Sequence, residues 1–170
     1  MAILNRGKIR NIISLGPLIL LYILSVTELN FNHILYLDFF TFNIKAMLVY
    51  FWTLKYPQVM GTGHIFLASL INDVVVGLPL GTTPLTFLIL ALVATYIRNA
   101  TISPSMTSDW ISFIPAISFS YLINFIIITK FSSLSILYLE LLRNAFFTFL
   151  FFPIFHYFLS IYLKKIEVNA

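Results

Sequence analysis

The residues best placed to do chemistry are Asn72 and Asp73, followed by Gly77, Pro79 and Gly81 and preceded by Gly61-Thr62-Gly63. They interrupt a chain that is 60% hydrophobic and 9% charged. An ionisable group near the middle of a membrane helix costs about 2.5–3.5 kcal/mol on insertion scales, so it faces protein or water and often marks function. Such a carboxylate can fix helix packing, dock a partner, or hold a proton or solute. At a helix end it can instead reach the interface or cap the next turn. At helical spacing Thr62, Phe66, Ser69/Leu70, Asp73 and Gly77 share one face. Gly77, Pro79 and Gly81 read as a tight connection, because glycine permits positive φ while proline fixes φ and donates no hydrogen bond. The spacing, with no Lys-Ser/Thr after it, excludes a phosphate-binding loop. Gly61 and Gly63 are expected to allow close helix contact, once Pro57 has ended the preceding helix.

Glu140 and Arg143, three residues apart, can neutralise each other on one helix face. Pro153 is expected to kink the last helix. His64 and His156 have no second ligand three or four residues away, so they read as interfacial or hydrogen-bonded residues and not as a metal site. Asp38 and Asp109 fall at loop or boundary positions, which argues against an intramembrane aspartyl pair with Asp73. There is no cysteine, no Gly-x-Ser-x-Gly and no His-Glu-x-x-His, which removes thiolate, iron–sulfur, nucleophile-elbow and metalloprotease chemistry. The expectation is a non-enzymatic protein with no metal or cofactor.

These residues must be positioned by membrane helices. The mean hydropathy is +0.98 over the 170 residues, and apolar runs place helices near 11–27, 43–55, 63–76, 83–97, 110–130 and 134–163. That predicts one integral membrane domain over residues 1–170, an all-α bundle of about six transmembrane helices. Residues 98–109 read as a loop, and residues 31–42, with Asp38, as an interfacial or extended segment. The net charge of +4 comes from residues that flank apolar segments, which points to membrane lipids and away from nucleic acid. Arg6, Lys8, Arg10, Lys55, Arg98, Lys164 and Lys165 all fall on one side, so both termini are expected in the cytoplasm. Glu28, His33, Asp38, Lys45 and Lys130 fall opposite. The basic start before Ile12–Val26, with Ser25 and Thr27 as a weak cleavage site, also fits a secretory signal. No internal repeat emerges.

The order of features from Tyr50-Phe51-Trp52, through Tyr56-Pro57 and Gly61-Thr62-Gly63, to Leu70-Ile71-Asn72-Asp73-Val74, Gly77, Leu80-Gly81 and the helix ending at Tyr96 resembles the bacterial rod shape-determining MreD family. Trp110 after a polar loop and Phe152-Pro153 also fit. Ala68-Ser69 and Asn72 depart from the commoner pattern of small residue plus glycine and an apolar residue before the aspartate. The resemblance implies a non-enzymatic inner-membrane adaptor of the cell-wall elongation machinery that maintains rod cell shape. It would associate with MreC, and indirectly with MreB filaments and wall-synthesis enzymes. On this expectation Asp73 and the Gly77–Gly81 turn shape the surface that receives the single helix of MreC.

The size and span count are also similar to the substrate-binding S-components of energy-coupling-factor vitamin transporters, which gives a rival reading. Those proteins commonly carry an Ala-xxx-Ala face on the first helix. Here the first helix reads Ile12-Ile13-Ser14-Leu15-Gly16-Pro17-Leu18-Ile19-Leu20, without that pattern.

Overall fold

The computed structural model describes residues 15–27, 42–101, 105–131 and 138–168. In these the chain is an all-α membrane protein of six helices: α1 (Gly16–Val26), α2 (Ile44–Lys55), α3 (Thr62–Val76), α4 (Thr82–Ala100), α5 (Met106–Phe131) and α6 (Tyr138–Val168). The expectations for residues 31–41, including Asp38, and for Glu28, His33, Arg6, Lys8 and Arg10 lie outside the described residues.

Six helices stand where six spans were expected, but three of them are long and apolar enough to cross a membrane: Thr82–Ala100, Met106–Lys130 and Leu139–Lys164. The first three helices have 11, 12 and 15 residues, lengths of about 16–22 Å against a hydrocarbon core of about 30 Å. Local punctuation sets two of these lengths. Tyr56-Pro57 ends α2 at Lys55, because the residue before a proline is pushed out of the helical region. Gly77 ends α3 in the left-handed conformation at φ 74°, which a side chain would resist. The interval 98–109, expected as a loop, is mostly helical, since α4 runs to Ala100 and α5 starts at Met106.

The second helix is the core of the bundle. Asn43 Oδ1 accepts the Ala46 amide at 3.0 Å and caps it, and every residue from Ala46 to Leu54 is buried. A helix that is apolar all round belongs inside a bundle, and α2 packs against α1, α4 and α6. Near its middle Tyr50 lies 4.6 Å from Phe113 of α5 and 5.5 Å from Phe152 of α6, and those two rings stack at 4.4 Å. The opposite faces of α5 and α6 expose Ile111, Phe119, Leu122, Leu142, Phe146 and Phe158, as helices do when their solvent is lipid.

Proline inside a helix removes one backbone donor, and α6 runs through Pro153. The carbonyl deprived of its partner is that of Phe149, four residues earlier. Trp110 Nε1 of α5 donates to it at 3.1 Å, and the two rings stack at 5.3 Å. The proline thus creates the acceptor by which α5 and α6 are pinned together. A second close approach joins the ends of α1 and α6: a Cβ on Gly16 would run into the Tyr162 hydroxyl.

Two stability outcomes follow. Trp110→Phe should cost about 1–3 kcal/mol by stranding the Phe149 carbonyl, and less in a Pro153→Ala background, where the helix amide returns; a double-mutant cycle of unfolding in mild detergent reads this. Gly16→Ala should cost about 1–3 kcal/mol through overpacking, with Tyr162→Phe recovering most of it.

Candidate functional site

Two polar clusters lie inside the apolar bundle. The first contains the residues expected from sequence. The inward face of α3 is Ile65, Ala68, Ser69, Asn72 and Asp73, while Thr62 and Phe66 are exposed. The face expected through Thr62 and Phe66 is therefore corrected by part of a turn, because Asn72 and Asp73 both find partners inside and draw the helix round to the stripe between them.

Asp73 is fully buried. Its Oδ2 accepts the Gly81 amide at 2.8 Å and its Oδ1 the Thr83 amide at 3.0 Å. These are orphan donors at the start of α4, where the helix dipole favours a negative charge. Gly81 at φ 99° needs glycine to turn its amide toward Asp73, and Pro79 accepts the Thr82 hydroxyl at 2.7 Å. Asn72 Nδ2 donates to Thr83 Oγ1 at 3.2 Å, and its Oδ1 accepts from Lys45 Nζ of α2. Asp73 therefore caps the next helix from within the protein and lies off the lipid-facing surface.

The remaining expected residues stand apart from this joint. Gly61 caps α3 through its backbone. A Cβ on Gly63 would meet nothing within 4 Å, so the close helix contact expected there is corrected: this glycine sits on an exposed stretch of the helix. Glu140 is exposed, and no Glu140–Arg143 ion pair occurs among the described residues. His64 Nδ1 lies 3.4 Å from Tyr22 Oη of α1.

The second cluster was not visible in the sequence. Lys55 at the end of α2, Asp109 in the first turn of α5 and His156 in α6 converge: Lys55 Nζ is 2.5 Å and His156 Nε2 3.1 Å from Asp109 Oδ2. Asp109 was expected at a loop or boundary, but α5 begins before it, and the carboxylate is buried at the positive end of the helix dipole, facing a cation. Lys55, read from sequence as an orienting surface charge, is held in this ion pair. Phe51 and Phe152 stand 5.2 and 5.8 Å from the imidazole, and Tyr50 Oη contacts Ser112 Oγ at 3.0 Å and the Asp109 carbonyl at 3.3 Å. Arg98 of α4 donates to the Thr53 carbonyl at 3.3 Å. The members lie too far apart in sequence to form a motif; the only local signal was a histidine within the most aromatic helix.

Among the described residues no three His, Asp or Glu side chains gather as a metal site needs. The first cluster can fix backbone geometry; the second can bind or exchange a proton. No protein-family model, curated protein or solved structure gives a significant match to this chain.

Asp73→Asn keeps one acceptor and meets the second amide with its own donor, whereas Asp73→Leu strands both. Each stranded amide costs about 1–3 kcal/mol. Thermal unfolding in detergent should therefore rank wild type above Asp73→Asn, and Asp73→Asn above Asp73→Leu.

Proposed function

We propose that this chain is a non-enzymatic adaptor of the cell-wall elongation machinery, of the rod shape-determining MreD kind. It would lie in the bacterial plasma membrane with both termini cytoplasmic, in direct association with MreC and in indirect association with MreB and the wall-synthesis enzymes.

One observation carries the reading. The stretch that bears the resemblance, Tyr50 to Ile97, is a continuous run of packed helices, and Asn72 and Asp73, the polar pair at its centre, are spent on the joint between two of them. Tyr50, Phe51 and Trp52 are fully buried in α2, Gly61 starts α3, and Asp73 ties α3 to Gly81 and Thr83. A part whose polar groups hold its own helices in register suits a fixed docking platform better than a site that must open to admit a solute. Asp73 is then a positioning residue: it sets the angle between α3 and α4, and Phe66, Leu67, Val74 and Val75 form the outward apolar face of α3. In lipid, helices associate through shape and close contact, and single polar bonds contribute about 0.6–2 kcal/mol.

The test is co-purification of the tagged chain from its own host in mild detergent, with partners identified by mass spectrometry. MreC together with elongation enzymes is the expected result, weakened by Asp73→Leu at equal expression. Capture of a membrane transport subunit with paired ATPases would replace this reading by the vitamin-transporter one.

A further inference from the structure

Hydroxyls on the helices of this bundle have a usual partner. Ser25, Ser69, Thr86, Thr95, Ser120 and Thr148 each donate to the carbonyl four residues earlier, the local acceptor open to a hydroxyl where water is scarce. Ser160 is directed elsewhere: its Oγ lies 3.3 Å from Nδ1 of His156. The other ring nitrogen, Nε2, faces Asp109 Oδ2 at 3.1 Å. An ionised carboxylate oxygen only accepts. Nε2 therefore carries the hydrogen of the neutral ring, and Nδ1 is the bare nitrogen that accepts from Ser160.

We propose that Asp109, His156 and Ser160, together with Lys55, form a binding site for a single proton whose uptake releases Lys55 from the bundle. The proton comes from hydronium in the acidified solvent: one O–H bond of hydronium breaks to leave water, one N–H bond forms at Nδ1 of His156, and the Ser160 hydroxyl turns from donor to acceptor. With a neutral ring, Lys55 and Asp109 sum to zero charge. After uptake two cations share one carboxylate oxygen in apolar surroundings, which leaves one positive charge uncompensated and favours the departure of the cation that water can reach.

Exposure decides which. The Lys55 side chain is 22% exposed, against 8% for His156 and 4% for Asp109. Lys55 also sits at the end of α2 on a flexible stem that can carry its ammonium to water or headgroups, whereas the imidazole is walled by Phe51 and Phe152. The other polar groups around the site are engaged in ways that leave the exchange to these residues. Tyr50 of α2 is held by Ser112 and the Asp109 carbonyl of α5, and Arg98 of α4 by the Thr53 carbonyl.

The experiment uses the full chain in lipid nanodiscs between about pH 8 and about pH 5, the range in which histidine titrates. Imidazole ¹⁵N resonances, assigned to His156 by their loss in His156→Gln, should show a ring protonated at Nε2 and bare at Nδ1 at the alkaline end, then gain one proton at Nδ1. In parallel, acylation of Lys55, read by mass spectrometry relative to the exposed Lys164, should rise by about fivefold on acidification. In His156→Gln, which keeps a donor toward Asp109 but cannot take up the proton, the ratio should stay flat. An Nδ1–H neutral tautomer, no proton uptake at His156, a pH-independent Lys55 ratio in the wild type, or the same rise in His156→Gln would each overturn the proposal.

Discussion

A polar group inside a bilayer has no water to fall back on, and the internal architecture of this protein is organised by that constraint. The hydrophobic drive that assembles a soluble core is weak between helices already dissolved in lipid. Close packing and the few places where donors and acceptors must meet therefore decide which helices lie together. Three such places recur: the carboxylate of Asp73 on the first amides of α4, the indole of Trp110 on the carbonyl left open by Pro153, and the carboxylate of Asp109 between Lys55 and His156.

The three joints differ in kind. The first connects neighbours in sequence and stiffens the turn between α3 and α4. The second uses a defect in one helix as the acceptor for another, so Pro153 joins α6 to α5 while sparing its continuity. The third draws together α2, α5 and α6 and is the only one of the three that includes a histidine. Between them the aromatic contacts of Tyr50, Phe113 and Phe152 fill the centre. Each such pair contributes about 0.5–1.5 kcal/mol beyond burial, enough to fix the rotation of α2 once the polar ends have set its depth. Trp52 Nε1 and Thr53 Oγ1 are exceptions, buried with no hydrogen-bond partner among the described residues, and each carries a desolvation cost of about 1–3 kcal/mol.

Much of this was legible in the chain itself. Apolar runs located six helices with ends up to five residues off, since a segment without polar groups has few alternatives to a helix in lipid. Pro57 and Gly77 marked helix ends because their φ/ψ limits are local. The engagement of Asp73 by the turn that follows α3 was also readable, because a carboxylate in an apolar run must be answered by donors and the nearest are in that turn. The inward face of α3 was misjudged because two adjacent polar residues share the interior, and periodicity cannot say which of them the stripe is centred on. The contact expected of Gly63 was assigned to the wrong glycine; the tight approach is at Gly16.

What the sequence by itself determined is what depends on neighbours along the chain: the membrane class, the helices, their punctuation and the polar joint between α3 and α4. What only the tertiary structure decided is what depends on neighbours in space. Lys55, Asp109 and His156 read separately as an orienting charge, a boundary acid and a helix histidine, and nothing in their spacing couples them. They become one cluster because α2, α5 and α6 pack around the same rings, and charges interact according to distance and the water excluded between them.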